Sequence, residues 1–129
     1  MELLLDTHTL LWFAEGDNQR LSIVARQLLE ESSNNKYVSI ASFWEIGIKM
    51  STGKLELKKG LDSLIDFVNK VDFQILPIKF NHIEIIKTLP FIHRDPFDRM
   101  LIAQASVERL AVVSADKNIQ HYDNVKTIW

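Results

Sequence analysis

The sequence predicts an α/β fold with a mainly parallel central sheet. Two observations carry that prediction: short apolar runs recur from end to end, and stretches of helical period separate them. A third sets the scale, because 129 residues, 47% hydrophobic and 25% charged, bury a core without help from disulfides, and there is no cysteine to make one. Leu3-Leu4-Leu5 is a continuous apolar run of the kind that is buried on both faces of a parallel sheet. Asp6 ends it and is placed to cap a helix from Thr7. Ser22 opens a helix to about Ser32 with Ile23, Leu28 and Leu29 among its apolar positions, and Ser32-Ser33-Asn34-Asn35 reads as a loop. Tyr37-Val38-Ser39-Ile40 is the second strand. Ser42-Phe43-Trp44-Glu45 has capping-box spacing and is expected to open a helix through Met50 that stops near Gly53.

Leu61, Leu64, Ile65 and Val68 recur at the helical period and predict a helix from Gly60 to Val71. Phe73-Gln74-Ile75-Leu76 alternates like a strand and is closed by Pro77; Asn81 and Glu84 mark the next helix start. Asp95-Pro96 begins the last long helix, with Asp95 as cap and Pro96 at the first position. Leu110-Ala111-Val112-Val113 and the short Val125-Lys126-Thr127-Ile128 complete the strands. No repeat, low-complexity tract or linker divides the chain, so residues 1–129 are expected to form one domain.

Composition removes several classes of function. Fifteen Lys and Arg against 17 Asp and Glu give a net charge of -2, so the chain as a whole is not a polycation built for nucleic acid. The apolar N-terminal run lacks the basic flank and length of a signal peptide, and no apolar stretch approaches the roughly 20 residues of a spanning helix; a soluble cytoplasmic protein with no membrane partner is expected. Without cysteine there is neither a thiolate nucleophile nor a Cys-based zinc site. The four histidines show no two-His metal spacing on a shared helix face.

Five acids stand where the strands are expected to end: Asp6, Glu45, Asp95, Asp98 and Asp116. In open parallel sheets ligands bind outside the carboxyl ends of the strands. Each acid also has a structural explanation. Asp6 and Asp95 suit caps, Glu45 suits a capping box with Ser42 or an ion pair with Lys49, Asp98 suits the helix dipole, and Asp116 suits a turn. Jointly they describe an oxygen-donor site for a hard cation such as Mg²⁺ or Mn²⁺, the kind that activates water and neutralises charge in phosphodiester hydrolysis. Arg94 and Arg99 flank the late acids, either to hold a phosphate oxygen or to offset those acids. Trp12, Phe13, Trp44 and Phe97 are expected in the core, as is Leu89-Pro90-Phe91-Ile92. Two other readings stand beside a nuclease: a phosphotransfer module with Asp6 as nucleophile, and a non-catalytic interaction protein.

Four segments carry a family resemblance: Leu4-Leu5-Asp6-Thr7-His8, Ser42-Phe43-Trp44-Glu45-Ile46, His93-Arg94-Asp95-Pro96-Phe97-Asp98-Arg99 running into Leu101-Ile102-Ala103-Gln104-Ala105, and Ser114-Ala115-Asp116. Over nearly its whole length the chain resembles PIN-domain (PilT N-terminus) proteins, close to the VapC toxins of bacterial and archaeal toxin–antitoxin pairs. The resemblance implies a three-layer α/β/α sandwich and a Mg²⁺- or Mn²⁺-dependent endoribonuclease acting on RNA, held by a cognate antitoxin protein and forming a homodimer. On that pattern Asp6 and Asp98 fall on the principal metal ligands, Glu45 on the second acidic position and Asp116 on the fourth. Asp95 is an extra acid of the His-Arg-Asp-Pro-Phe-Asp subgroup, a ligand or a helix cap. Ser114 stands where many members have threonine, and with Arg94 and Arg99 it is a candidate for substrate contact.

Overall fold

The computed structural model describes residues 1–129. In chain order the elements are β1 (Glu2–Leu5), α1 (Thr7–Glu15), α2 (Ile23–Glu30), β2 (Asn35–Ser39), α3 (Ile40–Ser51), α4 (Gly60–Lys70), β3 (Gln74–Leu76), α5 (Phe80–Thr88), α6 (Pro96–Glu108), β4 (Ala111–Val113), α7 (Lys117–Gln120) and β5 (Thr127–Ile128). The five strands form one all-parallel sheet in the order β3-β2-β1-β4-β5, with Leu5 beside Val38 on one side and Val113 on the other.

That order explains the layers. Right-handed crossovers that step from β1 to β2 to β3 place α1–α4 on one face, and the return from β3 across to β4 places α5 and α6 on the other. Side chains of β1 divide accordingly: Leu4 packs with Leu101, Ile102, Ala105 and Ile119, whereas Leu5 packs with Leu10, Ile46, Leu64 and Val68. Leu3 joins Leu21, Ala25 and Val113. The continuous Leu3–Leu5 run is therefore what a strand buried on both faces requires. The result is a three-layer α/β/α sandwich, as expected.

Several boundaries depart from the expected ones. Helix α3 begins at Ile40, capped by Ser39, whose Oγ accepts from the Ala41 N–H at 3.0 Å. Ser42 and Glu45 consequently lie inside the helix on one face rather than forming a capping box. Helix α5 is not opened by Asn81; the buried ring of His82 accepts the Lys79 N–H on Nδ1 at 3.0 Å. That fixes the tautomer, so Nε2–H is the donor to Glu108 Oε2 at 3.1 Å. The short helix α7 was absent from the sequence pattern, being too brief to show a period. Its cap is Asp116, which accepts from the Asn118 N–H.

The aromatic expectations hold only in part. Trp12 and Phe13 pack half-buried against the core, but Trp44 is 62% exposed and touches Phe97 at the surface. Leu89 is buried, whereas Phe91 is 84% exposed. The loop puts it outside because Arg99 occupies the space beneath, its guanidinium 4.2 Å from the Phe91 ring centre.

Truncating Leu4, completely buried between the sheet and α6, is expected to cost about 2–5 kcal/mol. Urea denaturation of Leu4→Ala checks this; a loss below about 1 kcal/mol would contradict the packing described.

Candidate active site

Strand order reverses at β1, with β2 on one side and β4 on the other, and this is where a parallel sheet opens a crevice at its carboxyl end. Asp6 follows β1 directly. Its backbone N–H continues the ladder to the Val113 carbonyl at 3.2 Å, so the side chain is set on the rigid centre of the sheet. One carboxylate oxygen accepts from the Thr9 N–H at 2.8 Å, capping α1, and the other accepts from the buried Ser114 hydroxyl. Ser114 in turn accepts from the Asp116 N–H at 3.0 Å. Ser114 thus ties the ends of β1 and β4 together and orients Asp6, a different role from the substrate contact expected of it.

Glu45 reaches the same crevice from α3, because the helix starts immediately after β2. Thr7 Oγ1 donates to Glu45 Oε1 at 2.6 Å and lies 3.1 Å from Ser42 Oγ. Lys49 Nζ sits 2.8 Å from Glu45 Oε2, the expected i,i+4 pair. Of the two structural explanations for Glu45, the ion pair is present and the capping box is not. Asp95 caps α6 by accepting the Asp98 N–H at 2.9 Å, and Pro96 stands at the first helical position. Asp98 is one turn in, with Oδ2 3.3 Å from His93 Nε2.

The electrostatics join these acids into one group. Burial pushes the Asp98 carboxyl up from 3.8 to about 8, and the charges of Asp95, Asp116, Asp6 and Glu45 push in the same direction. Asp6 is also raised, by burial, against the lowering influence of its bonds to Ser114 and Thr9. In this conformation no three acids or histidines close on a single point at metal-ligand distance. Asp95, Asp98 and Asp116 each spend one oxygen on a protein partner, which leaves the second available to turn into the crevice. The donors are all oxygen and several are charged, so the set suits a hard divalent cation.

Arg99 departs from expectation. It is buried, with Nη1 donating to the Pro90 carbonyl at 2.8 Å and the Tyr122 hydroxyl at 3.1 Å, and Nη2 to the Leu89 carbonyl at 3.1 Å. With its donors on the Leu89 and Pro90 carbonyls and the Tyr122 hydroxyl, its guanidinium forms no ion pair with the acids; it shapes the loop that carries His93. Tyr122 completes this arrangement, its hydroxyl 2.9 Å from His93 Nδ1. Nothing in the sequence marked Tyr122, which lies 29 residues beyond His93. Thr7, Thr9 and Ser42 were likewise missed, although the first two sit beside Asp6. Arg94 is exposed and free of hydrogen bonds and ion pairs, and Lys54, Lys58 and Lys59 are solvated.

Comparison with known proteins bears on the chain as a whole. A family model described as PIN domain matches residues 3–125. VapBC2 from Rickettsia felis, bound to a DNA fragment from their promoter, has a similar fold: TM-score 0.73 at 14% identity, covering 99% of this chain and 98% of that one. A toxin–antitoxin complex from Klebsiella pneumoniae gives 0.65 at 16% identity, and FitAcB from Neisseria gonorrhoeae 0.64 at 18%, each covering 98% of this chain and 96% of the other. No curated protein matches the sequence at a significant level.

The Asp98 carboxyl yields a stability prediction. Between pH 3.8 and about 8 the folded, metal-free chain holds a proton that the unfolded chain releases, so folding is progressively disfavoured as pH rises through that window. Asp98→Asn removes the effect. In EDTA at pH 8.5 the variant should melt about 5 °C above the parent, with the gap shrinking toward pH 5; a pH-independent difference would contradict this. Arg99→Met leaves two buried acceptors and the partly buried Pro90 carbonyl without this donor and should cost about 3 kcal/mol in chemical denaturation.

Proposed function

The chain belongs to the PIN domain family, and on that premise we propose that it is a Mg²⁺- or Mn²⁺-dependent endoribonuclease, the toxin of a toxin–antitoxin pair. The observation that carries the reading is the gathering of Asp6, Glu45, Asp95, Asp98 and Asp116 at the carboxyl end of the sheet, where burial and the four neighbouring acids push the Asp98 carboxyl up to about 8. A charge arrangement so unfavourable to itself is relieved by a divalent cation, and it is a poor arrangement for a protein whose acids only cap helices. Asp6, Glu45, Asp98 and Asp116 are assigned to hold the ion, with Asp95 capping α6 and contributing its charge. When bound, the ion supplies an acidified water and neutralises charge developing on the phosphate.

The chain's own residues do the positioning. Ser114 and Thr9 fix the two oxygens of Asp6; Thr7 and Lys49 fix those of Glu45. His93, set between Asp98 and the Tyr122 hydroxyl, is placed to donate a hydrogen bond from Nε2 to Asp98. Arg94, unpaired at the rim, is assigned to a phosphate of the substrate. A phosphotransfer role for Asp6 is disfavoured, since that carboxylate is buried and both its oxygens are engaged.

RNA as substrate follows the resemblance of the His-Arg-Asp-Pro-Phe-Asp run and its companions. The similar structures described above include toxin–antitoxin assemblies, which supports a cognate antitoxin as partner; a homodimer is proposed on the family resemblance alone. No helix is long and apolar enough to cross a membrane, and the proposed place of action is the cytoplasm, by one domain spanning residues 1–129.

Antitoxin-free protein incubated with single-stranded RNA and DNA panels is expected to cut RNA with Mg²⁺ or Mn²⁺ and not with EDTA. Folded Asp98→Asn should lose at least about 100-fold, and Ser114→Ala should weaken metal binding about 10- to 100-fold through misorientation of Asp6. Absence of metal-dependent cleavage by folded, metal-loaded parent, across transfer, ribosomal and messenger RNA, would sink the reading.

A further inference from the structure

Trp44 and Phe97 stand one residue before Glu45 and Asp98 on two helices, α3 and α6, that pack against each other. One residue along a helix is a rotation of about 100°, so as the two acids turn into the crevice, the two aromatics turn together to its rim. Their rings meet edge to face, centroids 5.2 Å apart and planes at 84°. With Pro96 they wall a cavity of about 280 Å³ lined also by Ala41, Ile78, Ile86 and Met100 and by two arginines, Arg94 and the buried Arg99. Trp44 remains largely in solvent although an indole buries more apolar surface than almost any other side chain, so packing within the fold does not explain its position.

Size and charge choose the occupant. The cavity lies at the small end of the roughly 300–1,000 Å³ of small-molecule sites and has room for one planar ring system, whereas a docked helix needs a groove about 10 Å wide. Arg94 is a cation without a protein partner, in a chain of net charge -2; it lines the cavity with the two aromatics and immediately precedes Asp95 in the chain. Arg99 spends its guanidinium on Leu89, Pro90 and Tyr122, so the aromatic wall and the one unpaired guanidinium, that of Arg94, match a nucleotide: a base for the rings and a phosphate for the fork.

We infer that Trp44, Phe97 and Arg94 form a subsite for one unstacked base of single-stranded RNA, next to the phosphate held over the acids. This rests on the nuclease reading and adds to it the form of the substrate. A base inside a duplex is stacked on both faces and does not reach such a site, so the subsite selects loops, bulges and ends.

The test uses the whole chain and RNA octamers carrying 2-aminopurine or an abasic residue at successive positions, kept intact by EDTA, with anisotropy for affinity and 2-aminopurine emission for stacking. The parent is expected to bind single strands at least tenfold tighter than the same sequence as a duplex and to quench 2-aminopurine at one position. Trp44→Ala should lose roughly tenfold in affinity together with the quench, and Trp44→Phe should retain most of both. An abasic residue at that position should cost the parent as much and cost Trp44→Ala almost nothing more. The inference is overturned if Trp44→Ala binds like the parent, if the abasic and Trp44→Ala losses simply add, or if duplex binds as well as single strand. It is equally overturned if the loss tracks a change in sedimentation, which would make this face a contact between copies of the chain. Cleavage of unmodified RNA by the same proteins separates the two ideas. Cleavage that ignores Trp44 removes the subsite alone, binding with the expected Trp44 dependence but no cleavage removes the nuclease reading, and neither binding nor cleavage removes both.

Discussion

Carboxylates crowded at the dry end of a parallel sheet repel one another, and each is reluctant to lose its contact with water; everything around the crevice works against that instability. Two unit charges about 4 Å apart repel by roughly 4 kcal/mol at an effective dielectric near 20. The fold meets this in three ways. It supplies hydrogen-bond donors to Asp6 through Thr9 and Ser114, it pairs Glu45 with Lys49 and Thr7, and it leaves Asp98 to carry a proton until positive charge arrives. The third is the only one a cation reverses. On the proposed reading, Asp98 is therefore the acid through which cation occupancy and the ionisation of the group would be coupled.

Rigidity on the opposite flank comes from a buried guanidinium rather than from the sheet. Arg99 gathers the Leu89 and Pro90 carbonyls and the Tyr122 hydroxyl, and Tyr122 in turn meets His93. Where the arginine donates to the tyrosine oxygen, the tyrosine proton is free to go to His93 Nδ1, which leaves Nε2–H toward Asp98. A loop otherwise rich in exposed apolar atoms is thereby held in one shape, with the His93 ring oriented toward Asp98. Lysine in place of Arg99 would lack the planar fork that serves several acceptors at once.

Much of this was legible in the chain. The alternation of apolar runs with helical segments specified the layers, and Asp95-Pro96 marked the start of α6 because a cap and a fixed φ are local properties of those two residues. The five acids were also legible as a group, because strand ends in a parallel sheet converge. What escaped had non-local causes. Ser42 looked like a cap because capping boxes are short-range patterns, but the buried Ser39 at the end of β2 took that position and moved the helix start to Ile40. Arg99 looked like a neighbour of the acids by sequence, yet along the helix it turns away from Asp98 toward carbonyls that only the fold brings near. Tyr122 had no local signature at all.

Displacement of the α3 start is also what makes the site and its rim possible. A helix opening at Ser42 would spend Glu45 on backbone N–H groups of its own first turn. Beginning at Ile40, the same helix places Glu45 on an inner face beside Ser42, where Thr7 reaches it, and turns Trp44 outward toward Phe97. Helix α6 repeats the arrangement with Asp98 inward and Phe97 at the surface. Two helices with an acid preceded by an aromatic, packed against each other, thus bring a charged pair and an apolar pair side by side. Local capping chemistry at Ser39 and Asp95 sets both rotations, so the relation between the acids and the aromatics depends on two serine- and aspartate-capped helix starts and not on the loops between them.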